Sequence, residues 1–126
     1  FRSSMFAMAV ALAGTALTAT QPSQEDDRRA ALRVMRSINT AENAARAKGG
    51  TYLSLIDLMT HPSMGGVAPD MKVAGTTVSY GKWQLRLALF ADASQYMANM
   101  VSADTCGLAV FSDERGLIYT GKVLDC

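Results

Sequence analysis

Arg28-Arg-Ala-Ala-Leu-Arg-Val-Met-Arg-Ser-Ile-Asn-Thr-Ala-Glu-Asn-Ala-Ala-Arg-Ala-Lys48 is the stretch on which the fold turns. Apolar side chains recur in it as Leu32, Met35, Ile38, Ala41 and Ala45, three or four residues apart, while Arg29, Arg33, Arg36 and Glu42 fall largely on other faces. That spacing is the period of an amphipathic helix. Ser23 followed by Asp26 has the form of a capping box, and Glu25, Asp26 and Asp27 suit the positive end of the helix. Lys48, Gly49 and Gly50 end it, as a basic last turn followed by glycine should.

Downstream, Tyr52 to Met59 reads as a second, short helix stopped by His61-Pro62. Residues 63 to 82 hold Gly65-Gly66, Pro69-Asp70, Gly75 and Gly81, and read as an irregular connector with one short strand around Thr77 to Tyr80. Four strand-like runs follow: Trp83 to Ala91, Gln95 to Ser102, Leu108 to Ser112 and Leu117 to Thr120. Leu85, Leu87 and Leu89 alternate with Gln84, Arg86 and Ala88, the period-2 pattern of a half-buried strand. The breaks between the runs are hairpin-short, so an antiparallel meander is expected. Its apolar face needs a cover, and the long helix around Leu32, Met35 and Ile38 is the candidate. The fold class expected is therefore α+β: one long N-terminal helix packed on a small antiparallel sheet of about four strands.

Upstream, Phe1 to Thr20 is apolar on every face as far as Ala13, and residues 5 to 19 carry no charge. Twenty helical residues span roughly 30 Å, about a bilayer core, yet Gly14 and three threonines weaken the segment as a membrane span. A secretory signal peptide has the same outline. The chain opens on Phe1 rather than methionine, which reads as the product of an earlier cleavage, so the segment is expected to stay in the mature protein. Pro22 lacks an N–H and breaks the helix before the next one restarts. The expected division is an apolar assembly or membrane segment over residues 1–27 and a globular head over residues 28–126.

Twelve basic residues against eleven acidic ones give a net charge of +1, which excludes a global field that would recruit nucleic acid. Residues 23 to 50 carry six basic and four acidic side chains, and residues 51 to 126 carry five and seven, so the stem is mildly positive and the head mildly negative. The six basic residues of the stem lack aromatic interleaving, and contacts between subunits explain them better than nucleic acid does. Cys106 and Cys126 are the only cysteines. If they pair, the loop of about 20 residues would stabilise by roughly 3 kcal/mol and imply an oxidising compartment; two free thiols are the alternative.

No phosphate loop, dinucleotide fingerprint or zinc spacing occurs. Glu25 to Asp27 are consecutive helical carboxylates that point in different directions, which does not suit calcium. His61 has no ligand-spaced companion, and Ser54 near Asp57 and His61 lacks a nucleophile elbow. The turn Asp113-Glu-Arg-Gly116 is explained by turn chemistry. No enzymatic activity, cofactor or metal is expected.

Phe1, Gly14 and Pro22 stand where mature type IV pilins carry their N-terminal phenylalanine, a helix-loosening glycine and a helix-breaking proline. Ile38-Asn-Thr-Ala-Glu42, Gly50-Thr-Tyr-Leu-Ser-Leu55 and Phe111-Ser-Asp-Glu-Arg-Gly-Leu-Ile-Tyr119 resemble the helix, the connector and the last hairpin of small bacterial pilins. The resemblance implies a ladle-shaped subunit and a disulfide-bounded C-terminal region, here Cys106 to Cys126. It also implies an inner-membrane pool, leader removal and N-methylation of Phe1, and extrusion by a pilus assembly machinery into an extracellular filament of identical subunits. The assembly residues it points to are Phe1, Arg2, Met5, Phe6, Met8, Val10, Leu12, Gly14 and Pro22. Met5 stands where most members have a glutamate, which some minor pilins and pseudopilins also lack, so an accessory subunit of a filament or of a type II secretion-like system is the alternative. A membrane-anchored surface binding domain is a third. Two further expectations follow: residues from about Gly14 to Gln21 are extended in the filament, and the Phe1 amine and Arg2 are satisfied by backbone carbonyls and hydroxyls of adjoining subunits.

Overall fold

The structure, a computed structural model, describes residues 24–122. Helix α1 runs Gln24–Gly49, with acidic Glu25, Asp26 and Asp27 in its first turn and Arg46 and Lys48 in its last, so charge opposes the helix dipole at both ends. Gly50 takes a positive φ of 81° and its N–H bonds the Arg46 carbonyl at 2.8 Å, the left-handed glycine stop that the Gly49-Gly50 pair promised. Helix α2, Leu55–Leu58, is capped by the Ser54 side chain accepting from the Asp57 N–H. Two 3-10 turns follow, Pro62–Met64 and Ala68–Asp70.

Six strands then form one antiparallel sheet in sequence order: β1 Met71–Ala74, β2 Thr77–Tyr80, β3 Trp83–Phe90, β4 Gln95–Ser102, β5 Leu108–Asp113 and β6 Ile118–Lys122. The α+β class and the meander hold, but the sheet has six strands where about four were expected. The added hairpin is the reason. Ala74 pairs with Thr77 and Tyr80 with Trp83, so Gly75-Thr76 and Gly81-Lys82 are two-residue turns whose glycines take φ of 61° and 56°. Read as punctuation of an irregular connector, these glycines are hairpin turns, and four-residue strands are too short to display a period.

One face of the sheet is covered by α1, which lies against β4 and β5. Its buried stripe is Ala31, Val34, Met35, Ile38 and Ala41, packed on Leu85, Tyr96, Met100 and Val110. Relative to the face expected from the sequence, Val34 moves inside and Leu32 is only half buried. Glu42, assigned to the polar side, has no exposed surface. A 26-residue helix is about 39 Å long, and its outer stripe through Arg29, Arg36, Thr40, Asn43 and Ala47 is open to solvent along that length.

Candidate assembly surface

Every assembly residue inferred from the resemblance, from Phe1 and Arg2 through Met5, Phe6, Met8, Val10, Leu12 and Gly14 to Pro22, lies outside the described residues, as do the Gly14 to Gln21 interruption and Cys126. What is described is the platform that would carry them. Cys106, in the β4–β5 turn with a φ of 60°, is disulfide-bonded. Among the described residues no helix is long and apolar enough to cross a membrane, and no group of three acidic, His or Cys side chains is placed to hold a metal.

The N-terminal end of α1 is fixed to the sheet by charge. Lys82 Nζ, from the β2–β3 turn, bonds Asp27 Oδ2 at 2.5 Å and Asp104 Oδ2 at 2.6 Å. The hydrogen bond to Asp104, then that to Asp27, raises the Lys82 pKa above its ordinary value. Lys122 Nζ donates to Gln24 Oε1 at 3.1 Å, so the first turn of α1 is tied to β6 as well. Glu25 meets Arg28 at 3.7 Å and Arg29 at 3.6 Å, exposed pairs worth little on their own.

Midway along α1 lies a buried polar cluster. The Tyr96 hydroxyl donates to Asn39 Oδ1 at 2.5 Å, Asn39 Nδ2 donates to Ser112 Oγ at 2.8 Å, and Ser112 Oγ donates to the Leu117 carbonyl at 2.8 Å. One helix, two strands and the β5–β6 turn are thereby held in a single register. A turn further on, Glu42 Oε1 accepts from the Leu53 N–H at 3.0 Å, while Oε2 is buried without a partner. Burial pushes this carboxyl up to about 7, against the lowering by the Leu53 bond. Burial, and next the Glu42 charge, raises the Tyr96 phenol in turn.

At the C-terminal end of α1 the β3–β4 turn is drawn onto the helix. Arg46 Nη1 donates to the Ser94 carbonyl at 2.7 Å, and its guanidinium sits 5.0 Å over the Tyr52 ring. The Tyr52 N–H donates to the Ala93 carbonyl at 2.8 Å, and the Tyr52 and Tyr96 rings meet edge-on at 4.8 Å. Ala91, Asp92 and Ala93 take φ of 49°, 54° and 60°, three consecutive left-handed residues without a glycine.

The residues weighed for chemistry make local contacts. His61 Nδ1 accepts from the Ser63 N–H at 3.1 Å, capping a 3-10 turn. Ser54 Oγ donates to Asp57 Oδ2 at 2.9 Å and does not approach His61 by any hydrogen bond. Asp113 is chelated by Arg115, whose side-chain hydrogen bonds lower its pKa. The sequence reading missed Glu42 and the Asp27–Lys82–Asp104 triad. For Glu42 the signal was its place three or four residues after Ile38 and Asn39 on the buried side; for the triad, which joins residues 55 and 22 apart, the sequence offered none.

Compared with protein-family models, with curated proteins and with solved structures, the chain returns no match.

Proposed function

We propose that this protein is a structural subunit of a type IV pilus-like extracellular filament, polymerising through its N-terminal apolar helix after an inner-membrane stage. One observation carries this reading: over its described residues Gln24–Gly49, α1 is a long stem clamped to the sheet on one side and open to solvent along the other. A stem anchored in this way transmits a polymer contact made upstream into the head. Its open stripe offers arginines and small residues for neighbouring heads. Met5, where most type IV pilins have a glutamate, is the observation behind the alternative reading, a minor pilin or pseudopilin in place of the main subunit.

The test is a substitution in the apolar segment of the full chain. Val10→Asp places a charge inside the proposed bundle, at a penalty of several kcal/mol per subunit if unpaired. Surface fibres are expected to vanish while the head keeps its disulfide and its thermal transition. Fibres that persist at wild-type abundance with Val10→Asp incorporated overturn the proposal.

A further inference from the structure

The second face of the sheet, opposite α1, is not the polar surface that a half-covered antiparallel sheet normally shows. The pairing registers align its side chains in rows: Gln84, Val101, Ala109 and Gly121; then Arg86, Asn99, Phe111 and Tyr119; then Ala88, Met97 and Asp113. Met97, Val101, Phe111 and Tyr119 are 52%, 48%, 43% and 40% exposed and adjoin one another on this grid. At such exposure, side chains of ~150–250 Å² leave about 400 Å² of contiguous apolar surface, the size of the largest patch on a typical monomer, which is often functional. The Phe111 and Tyr119 rings stack at 5.3 Å, 19° from parallel, and present a broad π face. Arg86 stands at the other end of the same row, exposed, with no hydrogen-bond or ion-pair partner among the described residues.

We propose that this face is a contact between two copies of the chain, packed sheet to sheet about a two-fold axis that runs parallel to the strands between β4 and β5. The symmetry follows from the grid. Such an axis exchanges β3 with β6 and β4 with β5 while keeping the rows, so Arg86 of each copy falls on Tyr119 of the other and Val101 falls on Ala109. Two cation–π contacts form, one at each end. Met97 meets Asp113, whose carboxylate is already held by Arg115 at 2.8 Å. A perpendicular two-fold axis drawn along the Arg86 row sets arginine on arginine and is disfavoured by like charge.

Area supports the occupant. Four strands about 4.8 Å apart and five to eight residues long make a footprint of roughly 14 by 20 Å. A corrugated surface of that outline carries about 550 Å² per copy, so a face-to-face pair buries about 1,100 Å², above the ~1,000 Å² that a specific interface needs. Sheets stacked in this manner sit ~10 Å apart, close enough for Arg86 to reach the opposing ring.

The experiment is sedimentation equilibrium of the full chain in a mild detergent, over about 1 to 200 µM. The wild type is expected to dimerise, Arg86→Glu to weaken the dimer ten-fold or more, and Phe111→Asp to abolish it. Ala47→Ser, on the exposed outer stripe of α1, which covers the opposite face of the sheet, leaves dimerisation unchanged. Phe111 is 43% exposed, and a thermal melt verifies that the aspartate variant folds. A wild type that stays monomeric throughout overturns the proposal, as it would if the chain's own residues 1–23 covered the face. An oligomer that survives both Arg86→Glu and Phe111→Asp overturns it too, because it would be held by the apolar segment instead. The contact does not depend on the filament reading: fibres lost in Val10→Asp leave this dimer in place.

Discussion

Replacing Glu42 by glutamine is expected to abolish a pH dependence that the wild-type fold carries near neutrality. The carboxyl has no exposed surface and one oxygen without a partner, and burial lifts its pKa from 4.5 to about 7. Between those values the folded state holds a proton that the unfolded state has released. Stability from this group is therefore complete below about pH 4.5 and is lost as pH rises to about 7, with a slope near 1.4 kcal/mol per unit. Over the whole window the loss is about 3 kcal/mol. For a domain of this size that corresponds to about 10 to 15 °C in Tm. Glutamine keeps the oxygen that accepts from Leu53 and cannot ionise. Asp113, with a lowered pKa, loses its contribution only as pH falls through the acid range, so comparing about pH 5 with about pH 8 isolates Glu42. Thermal melts of both proteins at the two pH values give the double difference. Wild type is expected to melt lower at about pH 8 than at about pH 5, and Glu42→Gln to show at most a third of that drop. Parallel curves for the two proteins, or a wild type that gains stability as pH rises, would refute the reasoning.

Gly107→Ala is expected to destabilise by about 1–3 kcal/mol, since an added Cβ meets Ser102 Cβ at 2.7 Å and the Asp104 carbonyl at 3.0 Å; chemical denaturation reads it. Asp92→Gly relieves one of three consecutive left-handed residues and is expected to stabilise by about 1 kcal/mol in the same assay. Tyr96→Phe removes the donor to Asn39 Oδ1 and should lower stability by about 1–2 kcal/mol, with Asn39→Ala costing less in the Phe background than in wild type. Maleimide applied to native protein without reductant is expected to label neither cysteine, and reduction to lower the Tm; labelling of both sides would show that no bond had formed.

Where a physical rule acts over a few residues, the sequence disclosed the fold. The 28–48 periodicity, the Gly49-Gly50 stop and the alternation of Leu85, Leu87 and Leu89 each specify their element locally. Met71–Ala74 was hidden because a four-residue strand is defined by its partner across Gly75 rather than by its own pattern. Glu42 was misplaced because charge was allowed to outrank position: it lies on the buried side of α1, where the Leu53 N–H, 11 residues on, binds its carboxylate. The candidate surface was half legible. Strand β4 carries large apolar residues on both parities, Tyr96 and Met100 inward, Met97 and Val101 outward, and that alone signalled a sheet with two sticky faces. Which outward residues adjoin, and that Arg86 shares a row with Phe111 and Tyr119, depends on inter-strand register, which no single strand encodes.

The claim that this chain is a filament subunit is tested most directly by shearing surface appendages from the producing cells, imaging them by electron microscopy and identifying their protein by mass spectrometry. The account predicts thin fibres containing this chain, with the apolar segment from Phe1 to Ala13 retained. Fibres that lack the chain, or a mature chain that begins downstream of the apolar segment and is recovered only as free protein, would contradict it.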